Sequence, residues 1–178
     1  MKRLVLVFTL MVSACVATVP LPDGFRMNRY KAPVPDRVPG GQVLSVEQAQ
    51  AMHEKGQAVF IDVISANGFL TDGIDGDWLT IRPRRSIPNS QWLPDVGRGA
   101  LTPKQKAYFK QGLETFSKGD QQQPLVFFCL KDCWMSWNAV KRASLLGYGK
   151  VYWFPAGTEG WAENGYKLVP IRPHPHKS

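Results

Sequence analysis

The feature that most restricts what this chain can fold into is a rhythm. Three short apolar runs rich in β-branched and aromatic residues, "AVFIDVI" (58–64), "LVFFC" (125–129) and "KVYWF" (150–154), alternate with segments of helical period. Runs of this length without polar alternation fit strands covered on both faces, because a strand with one wet face would alternate. Covering both faces takes helices, and the intervening segments can supply them. In "SVEQAQAMHEKG", Ser45 is placed as an N-cap, Gln48 completes a capping box and Gly56 closes the helix. In "LTPKQKAYFKQGLETFSKG", Thr102 caps, Pro103 takes the first helical position and Gln105 completes the box. "WMSWNAVKRASLLGYG" spaces Ala139, Ala143 and Leu146 along a helix that Gly147 ends. Strands alternating with helices through short links predict an α/β domain, with a mostly parallel central sheet and helices on both faces. At 178 residues and 44% hydrophobic content, the chain can build one core but not two comfortable ones.

The rest of the chain is less regular. Residues 65–86 hold glycines, acids and amides with no clean period and read as a long excursion, after which "IPNSQWLP" returns as a brief extended segment. Residues 18–41 contain five prolines and no apolar period, so 15–41 reads as a tether or loosely packed arm ahead of a folded domain at 42–170. Residues 171–178 read as a tail, with His174 and His176 solvated. The opening "MKRLVLVFTLMVSACVATVP" sets two cations before an apolar run and then small residues, the layout of a signal peptide over 1–14. The run is too short for a spanning helix, which needs roughly 20 apolar residues. "VSAC" resembles a bacterial lipobox, which implies lipidation of Cys15, with cleavage near Ala17 as the alternative. Val16, in place of an aspartate, points to the outer membrane. The expected address is therefore the periplasm, anchored through Cys15 if that residue is lipidated. The chain is basic, with 22 Lys and Arg against 14 Asp and Glu, and stays basic without Lys2 and Arg3. That charge suits an acidic partner or an anionic small molecule. The cations are scattered, with no tract interleaved with aromatics, so nucleic acid is not an expected partner.

Without Cys15, export leaves Cys129 and Cys133 as the only thiols, in an oxidising compartment. In "CLKDCW" they could be a redox pair, a structural staple, a metal clip, or a nucleophile with a bystander. In open parallel sheets chemistry gathers beyond the carboxyl ends of strands, and Cys129 is the last residue of one. Its loop runs into a helix whose N-terminal N–H groups favour an anion such as a thiolate, which makes Cys129 a candidate nucleophile. Cys133 can then act as a resolving thiol, with a static disulfide as the alternative. Two thiolates could hold Cu(I), but zinc would want two more ligands that nothing nearby supplies, so no metal and no other cofactor is expected.

Residues 125–168 resemble the second half of a rhodanese-like domain: an apolar strand ending in Cys129, a short loop, a helix, "LLGYGKVYWF", then "AGTEGW", where the family usually has two glycines followed by a tryptophan, and "ENGYKL". Upstream, "FIDVI" stands where such domains carry a strand ending in aspartate before a basic residue, and "RSIPNS" where they read Gly-His-Ile-Pro-Gly-Ala. The likeness spans roughly residues 42–170. "CLKDCW" also looks like the Cys-Trp-motif branch of rhodanese-like proteins associated with quinoprotein (PQQ-dependent) alcohol oxidation. The resemblance implies a three-layer rhodanese-like fold. It implies persulfide sulfur carried on Cys129, a cradle of backbone amides from Leu130, Lys131 and Asp132 to Trp134, and as partners a sulfur or thiol donor and acceptor and a quinoprotein dehydrogenase system. Two departures count against thiosulfate as a substrate: Asp132 stands where many sulfurtransferases have glycine, and Trp134 where an arginine would bind the donor. Asp62, at the same sheet edge, is a candidate for positioning the loop or assisting proton transfer, with satisfaction of turn amides as the alternative. Arg82, Arg84 and Arg85 are candidates for an anion clamp replacing the missing arginine, against a solvated charge cluster. Trp134 and Trp137 could line an aromatic pocket, though Trp137 also suits a core. The expected activity is sulfur transfer or thiol–disulfide exchange in the cell envelope; the rival is a non-catalytic accessory module with a structural Cys129–Cys133 disulfide.

Overall fold

Each of the three apolar runs contains a strand, although Cys129, expected as the last residue of its own, lies one residue beyond it. The computed structural model describes residues 19–66, 69–71, 78–80 and 84–175. In chain order the elements are β1 (Gln42–Val43), α1 (Val46–Glu54), β2 (Val59–Asp62), β3 (Phe69–Thr71), β4 (Trp78–Thr80), β5 (Arg84–Ser86), β6 (Gln91–Trp92), α2 (Pro103–Ser117), β7 (Leu125–Phe128), α3 (Trp134–Leu145), β8 (Val151–Phe154), α4 (Gly157–Glu163) and β9 (Val169–Ile171). The central sheet runs β1-β8-β7-β2-β6 with all neighbours parallel. β3 and β4 form a small hairpin inside the excursion, and β5 pairs antiparallel with β9.

The absence of polar alternation has its expected cause. Ile61, Phe127 and Trp153 point to one face and pack with Phe109 and Leu113 of α2 and Trp137 of α3. Phe60, Phe128 and Phe154 point to the other and pack with Ala49 of α1 and Trp161 of α4. All four residues of β7 are fully buried, each worth about 1.5–3 kcal/mol of apolar transfer. Ser45 with Gln48 and Thr102 with Gln105 form complete capping boxes, and caps of this kind stabilise by about 1 kcal/mol. Gly147, with φ 94°, follows the C-cap of α3, the left-handed position that favours glycine.

Two boundaries need correction. Residues 19–41 do not form a loosely packed arm; they lie along α3. The indole Nε1 of Trp134 donates to the Pro33 carbonyl and that of Trp137 to the Arg37 carbonyl, both at 3.0 Å. Asn138 Nδ2 donates to the Arg26 carbonyl at 2.9 Å, the Arg26 amide returns the bond at 2.9 Å, and Val38 is buried. The segment has no period because single side-chain donors of α3, rather than a ladder, satisfy its backbone. The tail is likewise packed through His174, whose amide donates to the Trp92 carbonyl at 2.8 Å and whose ring sits 4.8 Å edge-on from Phe116. Cys15 and the rest of the signal-like segment lie outside the described residues, as does His176. Among the described residues no helix is long and apolar enough to cross a membrane.

Candidate active site

Register aligns three strand ends at one edge: Asp62 beside Phe128, and Phe128 beside Phe154. Cys129 leaves β7 there and the chain enters α3 at Cys133, its N-cap residue. Cys129 and Cys133 are joined as a disulfide, with Cα atoms 6.1 Å apart. To turn so tightly the loop takes Asp132 through the left-handed region, φ 53°. Glycine is the usual occupant of that region and aspartate is among the few side chains that tolerate it, so the loop's backbone needs the conformation more than it needs the missing side chain. The loop's base is seated by the turn after β8. Gly157, φ 55°, stands where a Cβ would lie 2.5 Å from the Cys129 carbonyl oxygen, and the Thr158 amide donates to that oxygen at 3.0 Å.

The amide cradle expected over 130–134 is partly closed by the protein itself. The Lys131 amide donates to Glu159 Oε2 at 2.9 Å and the Trp134 amide to the Tyr30 carbonyl at 2.8 Å. Ala32 donates its amide to the Asp132 carbonyl at 3.0 Å, so the arm forms an antiparallel bridge of Lys31 with Cys133. Lys31 Nζ then reaches both the Lys131 carbonyl (2.6 Å) and Glu159 Oε2 (2.8 Å). The hydrogen bond from Lys31, joined by the Lys31 charge, the Lys131 amide and the Lys131 charge, holds the Glu159 carboxyl below its usual range against the opposing effect of burial. Trp134 is buried against the arm, with the Arg26 guanidinium 5.1 Å above its ring and Trp137 edge-on at 5.3 Å. The aromatic pocket proposed for these two tryptophans is therefore corrected to core packing beneath the arm.

Asp62, Arg84 and Arg85 resolve into scaffold. Asp62 is fully buried; its Oδ2 accepts from Arg84 Nη2 (2.8 Å), Arg84 Nε (3.0 Å) and Ser86 Oγ (2.6 Å), and its Oδ1 from the Ile64 amide (3.0 Å). Burial pushes its carboxyl up, opposed by Arg84, Ser86 and Ile64. With both oxygens engaged, the carboxylate positions rather than shuttles protons. Arg84 Nη2 continues to Thr158 Oγ1 at 3.3 Å, and Thr158 holds the Cys129 carbonyl. The ion pair thus supports the Cys129 backbone from below, and Arg84 is not an anion clamp. Arg85 is not one either, since its Nη2 donates to the Leu168 carbonyl beside β9. Arg82 lies outside the described residues.

A cleft of about 450 Å³ opens over the disulfide, lined by Cys129, Leu130 and Cys133, by Tyr30 and Lys31 of the arm, and by Arg98. The cation that sequence reading missed is Arg98, held by Asp95 Oδ1 (2.7 Å) and Ser65 Oγ (3.1 Å). Lys31, Thr158 and Glu159 were missed as well: no local motif marks them, and the first belongs to the segment read as an arm. Among the described residues no group of three or more His, Cys, Asp or Glu could hold a metal ion.

The model of the family described as "Rhodanese-like domain" matches residues 45–164. The fold is similar to that of the polysulfide-sulfur transferase homodimer of Wolinella succinogenes, at 18% identity over 73% of this chain and 79% of that one, TM-score 0.48. It is also similar to a thiosulfate sulfurtransferase from Pseudomonas aeruginosa, at 19% identity over 75% of this chain and 21% of that one, TM-score 0.50. No curated protein matches as a relative. With five parallel strands in this order, helices on both faces and the family's match spanning most of the folded part, the chain belongs to the rhodanese-like domain family.

Proposed function

We propose that the protein carries sulfane sulfur on Cys129 in the cell envelope and uses Cys133 as the resolving thiol. The observation that supports this best is the Cys129–Cys133 disulfide at the carboxyl end of β7, on the wall of a cleft and at the N-terminus of α3. An envelope dithiol supplies two electrons and two protons to open the disulfide. The Cys129 thiolate then attacks the outer sulfur of a persulfide R–S–SH, forming Cys129–S–SH and releasing R–S⁻. The outer sulfur passes to an acceptor thiolate. Otherwise Cys133 as thiolate attacks Cys129 Sγ, expels HS⁻ and restores the disulfide. Thiol–disulfide exchange is the same cycle without the outer sulfur. The signal-like opening and "VSAC" support export and an outer-membrane anchor through Cys15, and the "CLKDCW" resemblance supports a role accessory to a quinoprotein alcohol dehydrogenase system.

The second reading, a non-catalytic accessory module with a structural disulfide, is favoured by the near-complete burial of both cysteines. Mass spectrometry of the reduced protein after treatment with cysteine persulfide separates the two. We expect one added sulfur on Cys129, retained in Cys133→Ser and lost in Cys129→Ser. A disulfide potential more negative than roughly −300 mV together with an unreactive Cys129 would establish the structural reading.

A further inference from the structure

The loop around Cys129 offers N–H groups to an anion, and the protein has placed one of its own there. Glu159 Oε2 accepts from the Lys131 amide at 2.9 Å and from Lys31 Nζ at 2.8 Å, so this carboxylate is held by two donors. Its place is set from beneath, because Thr158, just before it, donates its amide to the Cys129 carbonyl and Gly157 packs closely against that carbonyl. Asp132 adds a second negative charge within the same short loop. The two cations at the cleft are each committed to a carboxylate, Lys31 to Glu159 at 2.8 Å and Arg98 to Asp95 at 2.7 Å. A doubly charged oxyanion such as thiosulfate, entering the cleft beside Lys31 and Arg98, would thus meet cations already neutralised, with the Glu159 carboxylate held behind Lys31 on the loop amide it would need. The persulfide group of a thiol-bound donor carries at most one charge, on the sulfur it delivers, and needs no oxyanion contact.

We infer that Glu159 determines specificity at this site: it excludes oxyanionic sulfur donors from Cys129 and leaves thiol-bound persulfides as the donor class. This rests on the sulfur-transfer reading above. The step it permits is the one already balanced there: the bond from Cys129 Sγ to the outer sulfur forms, the R–S bond to that sulfur breaks, and R–S⁻ leaves.

Charge selectivity at Cys129 can be measured without sulfur transfer. The reduced full-length protein carrying Cys133→Ser is alkylated with iodoacetate or iodoacetamide, reagents of similar size that differ by one charge, and modification of Cys129 is followed by peptide mass spectrometry. Glu159→Gln raises the iodoacetate-to-iodoacetamide rate ratio on the order of tenfold, the effect of one unit charge removed from beside the loop in a partly exposed site. Glu163→Gln removes the same charge 3.8 Å from Lys131 Nζ but not from the amide, and leaves the ratio within about twofold. Lys31→Met leaves Glu159 on the amide without its cation and lowers the ratio, a second measurement that does not depend on the Gln variant folding. An unchanged ratio in Glu159→Gln, an equal rise in Glu163→Gln, or a rise in Lys31→Met overturns the inference. In the persulfide assay, Glu159→Gln gains sulfur from thiosulfate while the wild-type protein takes it from cysteine persulfide alone; thiosulfate used equally by both also overturns it. If no variant accepts sulfur from either donor while the alkylation ratios shift as stated, the sulfur-transfer reading falls and the exclusion of anions by Glu159 stands.

Discussion

Two neighbouring strands end side by side and are finished in opposite ways. Asp62 closes β2, paired in register with Phe128 of β7, and its acceptors are met by Ile64, Arg84 and Ser86, none more than 24 residues along the chain and all largely out of water. The loop after Phe128 is closed from afar: by Tyr30, Lys31 and Ala32, about a hundred residues earlier, and by Glu159 beyond the next strand. Contacts of the first kind come apart only with the core, whereas exposed contacts from remote segments can open while the sheet persists. The rigid end carries the backbone of Cys129, and the adjustable end borders the cleft that opens over the disulfide.

The contrast can be broken at either end, and the largest effect belongs to β2. Arg84→Met strands a buried carboxylate and should cost about 3–5 kcal/mol in urea unfolding; a loss below about 1 kcal/mol would mean that the two ends are alike. Reducing the disulfide opens only a short ring, and the oxidised and reduced forms should differ by about 2 kcal/mol in the same experiment. Trp134→Phe keeps the ring but loses the bond to Pro33, about 1 kcal/mol. It should raise amide exchange in the arm and the Cys129 loop while leaving β2 and β7 protected, and uniform loss of protection would refute the division. The smallest effect is acidic. Because the folded Glu159 carboxyl lies below its ordinary value of 4.5, the clasp with Lys31 and Lys131 is fully present above that value and is lost as pH falls through the lower folded one. The Lys131 amide resonance should titrate below pH 4.5, and Glu159→Gln should abolish the titration.

What could be read from sequence divides along the same line. The strands, the capping boxes of Ser45 and Thr102 and the position of Cys129 at a strand end are local patterns, written in neighbours a few residues apart. The closing of the loop is not local. Glu159 reaches the Lys131 amide where Gly157 lets the turn after β8 approach the Cys129 carbonyl, and even at the β2 end Arg84 comes to Asp62 on β5, which pairs with β9. The arm gives no period because its carbonyls are spent one at a time on indole and amide donors of α3 and the loop. Sequence pattern registers ladders and turns; it has no signature for single bonds across a hundred residues.

The arm also bears on how this protein is handled at the bench. Trimmed to the span that defines its family, the chain would start at residue 45. Such a fragment would turn the indole nitrogens of Trp134 and Trp137 and the amide of Trp134 toward water, and would discard Lys31 from the rim of the cleft. Its cysteines would be easier to reach, so thiol reactivity measured on the trimmed domain would belong to the trimming.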